Sequence, residues 1–104
     1  MAAADSLNIV RNRIGERIAE IGQRIARLKP IDICAKMEAI RVMAAEHGMA
    51  ALEGLADYGA HHALMPGYGQ ATRACLDHMN EALDSDDAAH DREAILASLA
   101  MRLH

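Results

Sequence analysis

The side chains of this sequence best suited to chemistry are its six histidines and two cysteines. Cys75 and His78 are three residues apart, which on a helix puts a thiolate and an imidazole about one turn from each other, a competent spacing for metal ligands. A zinc site needs about four ligands, and the others would have to come from His61, His62 or Glu81, which form no second recognisable pair. Cys75 is better interpreted as a small core residue, so we expect no bound metal and no cofactor.

The other histidines offer less specific chemistry. His47 falls on the apolar stripe of a predicted helix, where it could be a ligand or a proton carrier, but a lone histidine there is more often partly buried and hydrogen-bonded. His61 and His62 lie in the segment GAHHALMPGYG, and we expect them to face solvent. Catalysis by a Cys75 nucleophile lacks a visible oxyanion-hole loop, so we expect no enzyme. The candidates for ligand binding are His47, His61, His62, Cys75 and His78.

These residues must be positioned by helices, and the first helix has the clearest signal. Between Asp5 and Leu28 apolar residues recur at steps of four and three, and Pro30 ends the run because it cannot continue the hydrogen-bond ladder. Glycine inside a helix lowers its stability by about 0.5 to 1 kcal/mol relative to alanine. A row that contains two glycines is therefore expected only where close packing offsets that loss. That row, the small-residue ridge, lies beside the apolar stripe and consists of Gly15, Ala19, Gly22 and Ala26.

The stripe and the ridge together make an apolar face wider than one bundle contact needs. The ridge could pack inside the monomer or against the first helix of a second copy, and the sequence leaves both arrangements open. We expect a homodimer, with an interface formed by Ile14, Gly15, Ile18, Ala19, Gly22, Ile25 and Ala26.

Two further helices are predicted before residue 84. The second begins near Pro30 and runs to about Tyr58, weakened but not ended by Gly48. A long connection over residues 59–69 contains a Pro-Gly turn signal, and the third helix covers about residues 70–83.

The fourth helix is predicted at the end of the chain. The acidic run at residues 84–87 supplies its N-cap, and its apolar positions are Ile95, Leu96, Leu99 and Leu103. Four helices joined mostly by short links predict an all-α, antiparallel (up-down) four-helix bundle, and 104 residues suit one domain over residues 1–104.

Composition narrows the function classes. Tyrosine is present twice and no other aromatic residue is, so the stacking side chains of a nucleic-acid binder are missing. Residues 1–30 carry six basic and three acidic residues, and the rest carries five and twelve, which suits complementarity within or between subunits. No apolar run of about 18 residues predicts a membrane span. Two widely spaced cysteines indicate reduced thiols in a cytoplasmic protein.

One segment resembles a known family. The run LEGLADYGA at residues 52–60, followed by ACLDHMNEAL and an acidic-capped last helix, is similar to part of the histidine phosphotransfer domains, four-helix modules of bacterial phosphorelays. Their motif is a histidine, any residue, then Leu-Lys-Gly, which matches Leu52, Glu53 and Gly54 here. The phosphoacceptor position then falls on Ala50, and the usual lysine is Glu53. Ala50 cannot accept phosphate and Glu53 would repel it.

The first interpretation is therefore a non-catalytic helical interaction module that self-associates and acts in signalling, with a signalling protein as a further partner, and without nucleic acid or membrane. The alternative is a metal- or small-ligand-binding helical bundle. A true phosphotransfer protein ranks last, because no histidine has the neighbours that the motif requires.

Overall fold

The computed structural model describes the backbone of residues 2–84 and the side chains from residue 8 onward. This part of the chain is an all-α four-helix bundle and contains no strand. Its helices are α1 (Ala2–Arg24), α2 (Pro30–Glu46), α3 (Ala50–His62) and α4 (residues 68–84). The fourth helix predicted from the sequence, with Ile95, Leu96, Leu99 and Leu103, lies outside the described residues.

Helix α1 presents the isoleucines of its apolar stripe to the core, as their spacing predicts, whereas Ile9 is exposed. Ile14, Ile18, Ile21 and Ile25 are buried, and Leu28 packs against the same core. The helix ends at Arg24, four residues before the predicted end, and the N–H groups of Arg27 and Leu28 both donate to the carbonyl of Arg24 in a tighter turn. The apolar repeat therefore continues through the turn beyond the helix itself.

The predicted second helix is in fact two helices, and Gly48 separates them. Gly48 has φ +68°, a left-handed conformation that favours glycine. Its N–H donates to the carbonyl of Ala45, and the N–H of Met49 donates to that of Ala44, which is the Schellman pattern at a helix end. Met49 is buried beside the turn, so the chain returns to the core and starts α3 at Ala50. The prediction of one helix from Pro30 to Tyr58 was wrong.

The connection between α3 and α4 is shorter than predicted. Helix α3 continues through Gly59 to His62, and only residues 63–67 link it to α4. Gly67 has φ +76° and completes the turn that Pro66-Gly67 predicted.

Among the described glycines, Gly59 has the closest neighbours. A Cβ atom at Gly59 would lie 2.9 Å from Sδ of Met37 on α2 and 3.1 Å from Sγ of Cys75 on α4. Real Cβ atoms essentially never lie within 3.0 Å of another atom, so the Met37 side chain would have to move to admit one here, and α2, α3 and α4 pack closely around the missing side chain. On α3 the buried row that contains it consists of Leu52, Ala56, Gly59 and Ala60.

Helix α1 runs antiparallel to α4. Cδ2 of Leu83 is the side-chain atom nearest to a Cβ placed on Gly15, at 3.6 Å, and Cδ1 of Leu76 is nearest to one on Gly22, at 3.8 Å. Rising numbers on α1 thus meet falling numbers on α4. On its other flank α1 is tied to α2 by an ion pair of 2.9 Å between Glu20 and Lys36. Within the part of the chain that is described, no helix is both long and apolar enough to cross a membrane.

Candidate functional site

The groove between α1 and α4 is the surface at which the predicted interface lies. Of the predicted ridge, Ala19 and Gly22 line the groove and are exposed, Gly15 is half-buried on the same helix, and Ala26 is exposed in the turn that follows the end of α1. Helix α4 supplies the opposite wall, with residues three or four positions apart that share one face of the helix. The residues that line this α1–α4 groove are Ile18, Ala19, Gly22, Arg73, Leu76, Asp77 and Asn80.

The structure divides the seven predicted interface residues into two groups. Ile14, Ile18 and Ile25 are buried in the core of a single chain, and of these three only Ile18 also lines the groove. The four ridge residues remain accessible or half-accessible. The sequence did not indicate the α4 wall of the groove, since Arg73, Asp77 and Asn80 have the composition of an ordinary solvated helix face.

The candidate ligands do not meet at one point. His47 is exposed and not partly buried as predicted, because the chain turns at Gly48 and leaves it outside; its Nδ1 lies 2.9 Å from the Met43 carbonyl. His61 and His62 belong to the last turn of α3 and not to a loop. His61 is exposed, as expected, whereas His62 is half-buried.

Cys75 has the environment of a core thiol. It is 3% exposed, and its S–H donates to the carbonyl of Leu55 at 3.1 Å. Burial raises the pKa of this thiol, only partly opposed by a hydrogen bond with the Gly59 backbone, so the nucleophilic and metal-binding thiolate is disfavoured. His78 is exposed, with Nδ1 3.5 Å from Oε2 of Glu81. Among the described residues no three His, Cys, Asp or Glu side chains are grouped so as to hold a metal ion.

A second groove lies between α3 and α4 and contains two of the candidate ligands. The ring of Tyr58 at its edge stacks on His62, with centroids 3.8 Å apart and an angle of 21° between the planes. The stack fixes a half-exposed aromatic wall beside apolar side chains. The lining residues of this α3–α4 groove are Leu55, Tyr58, Ala71, Ala74, Cys75 and His78.

A third, more apolar groove lies between α2 and α3, and the sequence did not indicate it. Cys34, Ala60 and Leu64 form its apolar walls, and His61 and Glu38 border it. The carboxylate of Glu38 accepts a hydrogen bond of 3.0 Å from Nε of Arg41, which holds the pKa of Glu38 below its ordinary value. Because the Glu38 carboxylate is already paired with Arg41, it is not free to bind a charged group of a ligand.

The residues that carry the phosphotransfer resemblance lie at the start of α3. Ala50 is the first residue of the helix and is exposed, Leu52 is buried, and Glu53 is half-buried. Searches with the sequence and the structure matched no protein-family model, no curated protein and no solved structure.

Proposed function

We propose that this chain is a non-catalytic helical interaction module that self-associates through the α1–α4 groove. The observation that carries the proposal is that the glycines of the ridge are not needed for packing inside the monomer. Among the described residues, a Cβ at Gly22 would meet no atom closer than 3.8 Å, and one at Gly15 none closer than 3.6 Å, which are ordinary contact distances. Two glycines within one helix lower its stability by about 1 to 2 kcal/mol in total, and close approach of a second copy would offset that loss.

The apolar character of the ridge supports the same conclusion. Ala19 and Gly22 form an exposed, side-chain-poor row that lines the groove with the buried Leu76. Such a row lets a second helix approach closely and loses almost no side-chain entropy when it is covered. Charged residues border the row at Arg73 and Asp77, as is usual around an interface.

We place the module in cytoplasmic signalling, as a phosphotransfer-like domain without catalysis. Support comes from the four-helix architecture, the resemblance at residues 52–60 and the free thiols of Cys34 and Cys75. Incubation with a phosphorylated receiver domain should leave no acid-labile phosphate on the chain. Phosphate transfer that is lost in a His47→Gln variant would overturn the non-catalytic assignment.

Self-association is tested by sedimentation equilibrium of the whole chain over a wide concentration range. Gly22→Leu should push the second helix away and weaken the dimer by about 1 to 3 kcal/mol, because overpacking of a close helix contact costs that much. Gly54→Leu is the matched control, since Gly54 is also an exposed helical glycine and no atom lies within 4 Å of the position that its Cβ would occupy. A concentration-independent monomer for the unchanged chain contradicts the proposal.

A small-ligand-binding bundle is the second candidate, and the α3–α4 groove favours it. The groove has an aromatic wall, Tyr58 stacked on His62, opposite Cys75 and His78, which suits a planar apolar ligand. Thermal-shift screening with such compounds should then give a stabilisation that Tyr58→Ala removes. For metals, elemental analysis should find no stoichiometric zinc or iron, and about one ion per chain that is lost in Cys75→Ser would favour the metal-binding form of this candidate.

A further inference from the structure

We propose that the second copy docks across a twofold axis close to Gly22 and Leu76, so that Arg73 of each copy pairs with the partner's Asp77. This inference rests on the self-association proposed above and specifies its geometry. It starts from the two oppositely charged side chains on the α4 wall of the groove, which lie one helical turn apart.

Both charges are available for a partner. Arg73 and Asp77 are exposed, and neither side chain forms an ion pair with another residue of the described chain. The opposite flank of α1 differs, because there Glu20 is held at 2.9 Å by Lys36. The α1–α4 groove therefore carries one unused positive and one unused negative group beside an apolar floor.

A twofold arrangement satisfies both groups at once. If the twofold axis crosses α4 at a right angle at the level of residue 75, next to the point where Gly22 faces Leu76, the α4 helices of the two copies run antiparallel there. Arg73 lies two residues before this level and Asp77 two residues after it, so Arg73 and the partner's Asp77 have the same height along the helices, whereas like charges are separated by about 6 Å at 1.5 Å per residue. Symmetry forms the opposite-charge pair twice.

The same charges disfavour a partner of uniform sign. A basic helix in the groove would be repelled by Arg73, and an acidic one by Asp77. A surface with both signs one turn apart is self-complementary when it is inverted, and a second copy provides that inverted surface. We therefore assign the groove to a homodimer and not to a nucleic acid or a uniformly charged protein.

Charge reversal tests the pairing, measured by sedimentation equilibrium at low ionic strength with circular dichroism as the check on folding. Arg73→Asp and Asp77→Arg should each weaken the dimer by about tenfold, since each creates two like-charge contacts across the axis. The double variant Arg73→Asp/Asp77→Arg should return the dissociation constant to near that of the unchanged chain. Arg13→Asp is the control, because Arg13 lies in a separate groove with Glu16, Arg17 and Glu20.

The outcomes separate the two proposals. Loss in both single variants and recovery in the double variant supports the twofold pairing. A dimer that Gly22→Leu weakens but charge reversal leaves unchanged keeps the proposed function and overturns the pairing. A monomer at every concentration overturns both.

Discussion

Two helices of this molecule carry small residues along one face, and the surroundings of these residues differ. On α3, Ala56, Gly59 and Ala60 are buried against α2 and α4. On α1, Ala19 and Gly22 stay exposed, and the nearest side-chain atom to a Cβ at Gly22 is 3.8 Å away. A glycine in a helix therefore has two explanations, and only the space around it distinguishes them. Gly59 is closely packed inside the monomer, whereas no described residue crowds Gly22, for which we propose a contact with a second copy.

The largest loss of stability should follow from placing a large side chain at Gly59. Gly59→Leu places a side chain where Met37 and Cys75 already leave less than 3.2 Å to the first carbon. We expect the free energy of unfolding to fall by about 3 kcal/mol, at the upper end of overpacking costs, as measured by urea denaturation. Gly54→Leu on the same helix is the control and should cause no loss and a small gain, because no described residue lies within 4 Å of its Cβ position and leucine favours the helix. Equal losses in the two variants would contradict the contrast.

The second prediction concerns Thr72, a polar residue on the buried face of α4. Thr72 is 1% exposed, and its Oγ1 has no hydrogen-bond partner among the described residues. Replacing the hydroxyl by a methyl group in Thr72→Val removes an unsatisfied polar atom at nearly constant shape. We expect the free energy of unfolding to rise by about 1 kcal/mol, as measured by thermal and urea denaturation. A loss of similar size would mean that the hydroxyl has a partner, such as a buried water.

A smaller substitution, glycine to alanine, compares the small residues of α3 with the ridge of α1. Gly22→Ala should raise the free energy of unfolding of the chain by about 0.5 to 1 kcal/mol, because alanine favours the helix and its methyl group fits in ordinary contact with Leu76. Gly59→Ala should not show this gain, since its methyl group would lie 2.9 Å from Sδ of Met37. The comparison needs dilute protein, so that dimer formation does not contribute. A gain at both positions would show that the α3 row is no tighter than the ridge.

The smallest change in stability is expected on the flank of α1 that faces α2, where Glu20 forms an ion pair with Lys36. The hydrogen bond from Lys36 holds the pKa of Glu20 below its ordinary value. A carboxyl with a lowered folded-state pKa adds stability above its unfolded pKa, near 4.5, and this stability is lost as the pH falls through the folded value. Lys36→Met should therefore make the acid dependence of unfolding below about pH 4.5 slightly shallower. An unchanged pH profile would show that the exposed pair contributes nothing measurable.

The predictions about α1 and the start of α2 succeeded because they rest on the local sequence pattern. The steps of four and three in α1 place the isoleucines of its stripe on one face, and Pro30 begins α2 with Lys29 extended before it, as the proline ring requires. The same reasoning failed at Gly48, because the predicted stripe passes through His47 and Ala51, which are exposed, whereas the structure buries Met49 and Leu52. Apolar residues occupy both rows after the turn, so their spacing alone does not locate the break that the left-handed backbone of Gly48 makes.

The sequence by itself determined the helical class, the buried stripe of α1 and the small-residue ridge beside it, because periodicity and residue size act within a few turns of one helix. Only the tertiary structure showed a second small-residue row, on α3, and its internal position. Gly59 is crowded by Met37 from α2 and Cys75 from α4, which are 22 and 16 residues away along the chain, whereas no described residue crowds Gly22. The need for a missing side chain depends on how closely distant helices approach, and that distance is a property of the packed bundle and not of local spacing.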